Sequence, residues 1–193
     1  RFSYKFVYHN SFINIFTLMI NSHIVLLGYM GCGKTTISSK LETILNLPSI
    51  DLDQFIENEL KMSISQIFNS KGQIEFRKIE NRFLKILLNK KTKSIISLGG
   101  GTPCYHNNMD FILECSKNVF FIKTSAEVLS FRLFKEKSKR PIIKSISSIS
   151  ELKDFISKHL FERMIFYSQA HHIIDDNDKG ADSVCKKIVS KLI

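Results

Sequence analysis

The chain of 193 residues has no Cys-x-x-Cys pair: its four cysteines, Cys32, Cys104, Cys115 and Cys185, lie far apart. That spacing excludes a zinc ribbon or a disulfide framework and suits a reducing compartment. No apolar run is long enough to span a bilayer; the stretch from Phe12 to Ile20 is short and interrupted by polar residues. The first 18 residues carry no acid, almost no arginine and no small-residue cleavage site, which disfavours a secretory signal. They read as an extension outside the fold, with an organellar transit peptide as the alternative. A single domain is expected over residues 19–193, in the cytoplasm. A first residue of Arg rather than Met goes with an N-terminus short of the full translation product.

No nucleic-acid motif accompanies the net charge of +10, and the lysines are spread along the chain rather than gathered in one block. The basic balance is therefore read as a lysine-rich surface whose field draws in a polyanion or an acidic substrate, with no nucleic-acid or membrane partner. Composition is that of an ordinary globular protein, 44% hydrophobic and 24% charged. There is no internal repeat and no linker.

What the chain does have is an alternation of strands and helices. Ile24 to Leu27 is wholly apolar, as a buried parallel strand requires, and a helical stretch follows from Lys34 to about Asn46. Ser49 to Asp53 reads as a second strand ending in acids, and Gln54 to about Ser70 as an interrupted helix. Phe76, Ile79, Phe83, Ile86 and Leu87 recur at helical spacing. Ser94 to Leu98 is a third strand, stopped by Gly99-Gly100-Gly101; Val119 to Ile122 is a fourth, followed by a helix from Ser125 to about Glu136. Lys137 to Ser150, rich in lysine and serine, is expected to be a mobile loop. A helix from Glu151 to Ser168, a short strand from His172 to Ile174 and a last helix close the chain. The pattern predicts an α/β fold, three layers with a five-stranded parallel sheet covered on both faces.

Gly28-Tyr29-Met30-Gly31-Cys32-Gly33-Lys34-Thr35 matches G-x-x-x-x-G-K-[ST] between a strand and a helix. Glycines there let backbone N–H groups turn inward around a phosphate at a helix N-terminus. Lys34 can reach the β- and γ-phosphates of ATP, and the Thr35 hydroxyl can join a magnesium shell. The usual aspartate at the end of the third strand is missing, so a metal carboxylate must come from Asp51 or Asp53. Strand alternation is expected to point those two to the same side, into the cleft. The guanine-specifying Asn-Lys-x-Asp is absent as well, which argues against a GTPase switch.

Further features suit a phosphoryl acceptor. Gly99 to Gly101 expose backbone N–H groups to an anion, and Arg77 and Arg163 could each fork onto a carboxylate. Arg140, in the loop, could neutralise transferring phosphate charge. Together these residues resemble the shikimate kinases, over about Ile24 to Ile193. The resemblance implies a P-loop kinase with a mobile lid at about 137–150, ATP as co-substrate and Mg²⁺. It implies phosphates held by Gly31, Cys32, Gly33, Lys34, Thr35, Thr36 and Arg140. It puts shikimate on Asp53, Arg77, Gly99, Gly100, Gly101, Arg140 and Arg163, with Arg163 and Tyr167 as the family's R-x-x-x-Y. It assigns the metal to Thr35 and, through water, to Asp51 and Ser97, and catalysis to Lys34, Asp53 and Arg140. The expected reaction is phosphorylation of the shikimate 3-hydroxyl, on the route to chorismate and aromatic amino acids, by a monomer.

Two regions depart from the pattern: the lid is lysine-rich, with Arg132 one residue further from Arg140 than usual, and in the adenine-binding loop Lys179 and Ala181 replace a common arginine and a common proline. Lys179 stands where an arginine often stacks on adenine, and is taken as an ATP contact although lysine stacks less well. Three other readings stand beside this one. A gluconate kinase is disfavoured by the D-x-D, G-G-G and R-x-x-x-Y set. A nucleotide-binding protein without catalysis would be signalled by loss of Lys34, Asp53 or Arg140. A nucleic-acid binder would show salt-sensitive retention on DNA.

Overall fold

The computed structural model describes residues 20–137, 140–176 and 180–192. The extension read over residues 1–18, and Lys179, lie outside the described residues. Five parallel strands form one sheet: β1 (Ile24–Leu27), β2 (Ser49–Asp51), β3 (Ile95–Ser97), β4 (Asn118–Lys123) and β5 (His172–Asp175), in the order β2-β3-β1-β4-β5. Among the described residues seven α-helices cover it: α1 (Lys34–Leu45), α2 (Leu52–Leu60), α3 (Ile64–Leu88), α4 (Asn108–Cys115), α5 (Ala126–Lys135), α6 (Ile149–Tyr167) and α7 (Gly180–Leu192). The predicted fold class is the one observed.

Period-two alternation along the strands divides the core into two halves. Ile24 and Leu26 of β1, Phe120 and Ile122 of β4 and Ile95 of β3 face a cluster built with Ile37 and Leu41 of α1, Leu129 and Leu133 of α5 and Ile188 of α7. Val25 and Leu27, Val119 and Phe121, and Ile96 face the other half, with Leu52 and Ile56 of α2, Phe83 and Leu84 of α3 and Ile112 of α4. All four side chains of β1 are fully buried, which is why its sequence carries no polar residue.

Several local expectations change. The second strand stops at Asp51, because the Asp51 carboxylate accepts hydrogen bonds from the N–H groups of Asp53 (3.0 Å) and Gln54 (3.3 Å) and so caps α2. Asp53 is thus in the first turn of a helix, and strand alternation does not relate the two acids. The buried stripe of α3 runs through Phe76, Glu80, Phe83, Leu84, Leu87 and Leu88; Ile86 lies off it, 45% exposed. A capping box at Ser63 and Gln66 starts α3, and Gly72, at φ 76° and ψ 172°, breaks it. The 3-10 turn Thr102–Cys104 and α4 had no counterpart in the sequence reading. The segment read as a loop over 137–150 contains a 3-10 turn at Pro141–Ile143. It is anchored in the first core half by Ile143 and Ile146, and α6 begins at Ile149 rather than Glu151.

Two adjacent residues of α3 test this packing. Leu87→Ala should lower the unfolding free energy by about 2–5 kcal/mol, as expected for a large-to-small change in a closed core. Ile86→Ala should cost under about 1 kcal/mol, as on a surface. Urea titrations of the two variants make the comparison, and equal losses would contradict it.

Candidate active site

Strand order reverses at β1, which has β3 on one side and β4 on the other, and ligands of open α/β sheets gather at the carboxyl end of such a strand. Here β1 ends in the loop Gly28–Gly33, and Gly33 adopts a left-handed conformation (φ 89°) at the start of α1. No side chain caps α1 and its first turn holds no acid, so the amides there face the cavity without a competing anion. Lys34 folds back over the loop, its Nζ donating to the carbonyls of Gly28 (2.8 Å) and Tyr29 (3.1 Å).

A cavity of about 510 Å³ opens on this loop, and its walls include Gly31, Cys32, Gly33, Lys34, Thr35 and Thr36. Asp51, Asp53, Gly99, Gly100 and Arg140 line it as well, as do Arg132, Asp176, Gly180 and Ala181 at the side where the adenine loop was expected. Arg132 donates to the buried Asp176 carboxylate at 2.7 Å. Arg140 pairs with Glu136 at 3.6 Å, one turn back.

The turn Gly99–Gly101 is the meeting point. A Cβ on Gly99 would fall 3.2 Å from Asp53 Oδ1 and 3.3 Å from Glu80 Oε1; one on Gly101 would fall 2.5 Å from Arg77 Nη2. One on Gly100 would lie 3.4 Å from Arg163 Nη1 and 3.3 Å from the Met30 amide. Absence of side chains therefore lets α2, α3, α6 and the phosphate loop converge on one piece of backbone. Of the residues expected to hold the acceptor, Asp53, Arg77 and Arg163 lie against the Gly99–Gly101 turn, while Arg140 lines the cavity from the segment after α5. The Tyr167 hydroxyl donates to the Gly100 carbonyl and ties α6 to the same turn.

Sequence reasoning gives Glu80 no role of its own. It is 1% exposed and bridges two partners, accepting from Arg77 Nη1 and from the Thr102 hydroxyl, each at 2.7 Å. Asn108, fully buried, donates to the Thr102 carbonyl at 2.7 Å and accepts from Asn81 at 2.6 Å. A single acid on the apolar stripe of α3 was the available signal for Glu80; nothing local marks Thr102 or Asn108.

Asp53 is partly buried, and its carboxyl is pushed up from 3.8 to about 6, first by burial and then by the Asp51 and Glu80 carboxylates, against the opposing pull of Lys34 and Arg77. For a metal, the β2–β3 register sets Asp51 beside Ser97, whose hydroxyl is fully buried with no hydrogen-bond partner in the structure. An orphaned hydroxyl beside a carboxylate fits a hydrated cation, whose waters can supply the missing partner. No cluster of three His, Cys, Asp or Glu side chains suited to a metal occurs among the described residues.

Comparison with known proteins agrees with this geometry. The family model described as shikimate kinase matches residues 30–193. The chain belongs to the shikimate kinase family. A relative named shikimate kinase from Flavobacterium johnsoniae is 42% identical over 169 residues, covering 88% of this chain and 98% of the relative. Among solved structures, a shikimate kinase from Bacteroides thetaiotaomicron superposes with a TM-score of 0.80 at 34% identity, over 89% of this chain and 98% of the other. A shikimate kinase from Acinetobacter baumannii, solved in complex with shikimate, gives a TM-score of 0.77 at 27% identity, over 89% and 92% of the two chains. Family membership removes the gluconate kinase rival.

The raised Asp53 predicts a stability effect with a defined sign. A carboxyl whose folded value exceeds its unfolded one favours the fold below about pH 4, and that contribution is lost as pH rises through about 6. Asp53→Asn should therefore be more stable than the parent at pH 7, by about 1–2 kcal/mol after allowing for solvent screening. The difference should vanish near pH 4. Unfolding titrations at the two pH values measure it, and a constant difference would contradict the assignment.

Proposed function

We propose that this chain transfers the γ-phosphoryl group of ATP to the 3-hydroxyl of shikimate, giving shikimate 3-phosphate and ADP. The observation that carries this reading is the convergence of Asp53, Arg77 and Arg163 on the Gly99–Gly101 turn, beside the backbone of the phosphate loop. One carboxylate and two guanidinium groups from three helices suit a small hydroxylated acid held next to a nucleotide phosphate.

In this reading the amides of Gly31, Cys32 and Gly33, with Lys34, Thr35 and Thr36, hold the phosphates. Arg77 and Arg163 fork onto the shikimate carboxylate, and the amides of Gly99 to Gly101 line its ring. Asp53 orients the 3-hydroxyl. As the new oxygen–phosphorus bond forms and the bond to the β-phosphate oxygen breaks, the hydroxyl proton can pass to Asp53, whose raised affinity for protons suits it as acceptor. Arg140 comes from the segment after α5 to neutralise the moving charge. A divalent cation, which we take to be Mg²⁺, would be held by Thr35 and, through water, by Asp51 and Ser97, and when bound it would neutralise phosphate charge. Lys179 keeps its expected adenine contact as part of this proposal. A monomer in the cytoplasm belongs to the same reading; no described helix is long and apolar enough to cross a membrane.

The test is release of ADP from ATP and Mg²⁺ with shikimate, with gluconate and with no acceptor. Release should depend on shikimate alone, and its absence in a folded, ATP-binding sample overturns the reading. Arg77→Ala should raise KM for shikimate about 100-fold, the worth of two charge-assisted hydrogen bonds, while KM for ATP moves little. Equal loss for both substrates would contradict the role given to Arg77.

A further inference from the structure

Tyr29, the second residue of the phosphate loop, is 1% exposed and packs into the core rather than lining the cavity. Its hydroxyl lies 2.9 Å from Nδ1 of His159 on α6, and the two rings are 6.2 Å apart. His159 is held in turn by Phe155, edge-on at 4.3 Å. Four residues beyond His159, on the same face of α6, Arg163 sets its guanidinium over the Tyr29 ring at 5.2 Å from the centroid. The Tyr29 carbonyl is one of the two acceptors of Lys34. Tyr29 therefore touches the phosphate lysine through its backbone, the carboxylate-binding arginine through its ring and His159 through its hydroxyl.

We infer that His159 is a positioning residue, which pins Tyr29 and so seats Arg163 for the acceptor carboxylate in register with the phosphate loop. The inference rests on the functional reading above. Its physical content is a shared rigid body. An aromatic ring held at its far end by a hydrogen bond keeps one orientation, and an arginine lying on that ring loses less freedom when it binds a carboxylate. Because the same ring belongs to the phosphate loop, a nucleotide that orders the loop also orders Arg163, so each ligand should tighten the other. The protonation of the pair agrees with this arrangement. Burial pushes the Tyr29 hydroxyl up to about 12, and burial followed by Arg163 lowers the His159 imidazole, so a neutral ring can accept a hydrogen bond from the tyrosine hydroxyl at Nδ1. Lys158 opposes protonation of His159 as well, and Glu162 favours it.

The experiment measures shikimate binding by calorimetry, with and without ADP and Mg²⁺, on the full chain. His159→Leu removes the acceptor, Tyr29→Phe removes the donor and keeps the ring, and His159→Asn keeps an acceptor atom near the Nδ1 position. In the parent, ADP should tighten shikimate. His159→Leu and Tyr29→Phe should each weaken shikimate about fivefold and abolish most of the tightening by ADP, with ADP alone bound as in the parent. The double variant should be no worse than either single one, and His159→Asn should restore most of the loss. Parental shikimate affinity and parental tightening in His159→Leu overturn the inference alone, as does additive loss in the double variant. A general role in stability, in which ADP and shikimate binding fall together and His159→Asn does not rescue, overturns it too. Failure of the parent to bind shikimate overturns the functional reading and this inference with it.

Discussion

Parallel pairing of β1 on both its edges is the constraint from which the site follows. Leu26 stands opposite Ser97 of β3 on one side and Phe120 of β4 on the other, so the chain leaving β1 emerges between two further strand ends. Little room remains there. A Cβ on Gly28 would fall 2.7 Å from the Ile122 carbonyl and 2.9 Å from Cys32 Sγ, so the first residue after the strand has to be glycine before any phosphate is considered. The loop then turns into α1 with its amides toward the cavity, while β3, paired with β1 on one edge and β2 on the other, delivers Ser97 and the triple-glycine turn next to it. Phosphate loop and acceptor turn are neighbours because their strands are paired.

Around that fork the chain collects charges that would not choose each other's company. Asp51, Asp53 and Glu80 bring three carboxylates to one end of the sheet, and Lys34, Arg77 and Arg163 bring three cations. Glu80 is fully satisfied by Arg77 and Thr102, and Asp51 by two helix amides, so both are held by hydrogen bonds as well as by charge. Asp53 has no such compensation, and the strain of the cluster accumulates on it as a raised proton affinity. A site that folds with one carboxylate out of balance gives up stability for a group that holds its proton more tightly than an ordinary carboxylate.

These features were legible to different degrees, for physical reasons. The phosphate loop could be read outright, because each of its residue types answers a local steric or charge requirement. Asp53, Arg77, Gly99 to Gly101 and Arg163 were found as a set, yet the geometry assigned to the acids was wrong: Asp51 turns the chain into α2 by capping it, and capping competes with strand alternation in a way composition does not show. Glu80 was hidden because a charged residue on a buried helical stripe breaks the hydropathy pattern that defines the stripe. Ile86 was misplaced on that stripe because it follows Phe83 at a helical spacing of three, which an exposed apolar residue satisfies as well as a buried one. The 3-10 turn and α4 were missed because Thr102 and Asn108 act through long-range contacts with α3, which no window of sequence contains.

The two arginine arms proposed to bind the acceptor carboxylate are set by the core rather than by the loops around them. Arg77 projects from α3, whose buried stripe belongs wholly to one half of the core, with Phe76 and Phe83 on either side of Glu80. Arg163 projects from α6, which contributes Leu152 and Ile156 to the opposite half and Tyr167 to the same half as α3. Leu160, one residue after His159, touches both halves, so Arg163 stands where α6 passes from one to the other. The separation of the two guanidinium groups is thus fixed by how both core halves are filled around β1. A close-packed interior does not change such a distance by small increments. The spacing of the two arginines is consequently recorded in apolar residues of β1, α3 and α6, and the glycine turn reads out the spacing they impose.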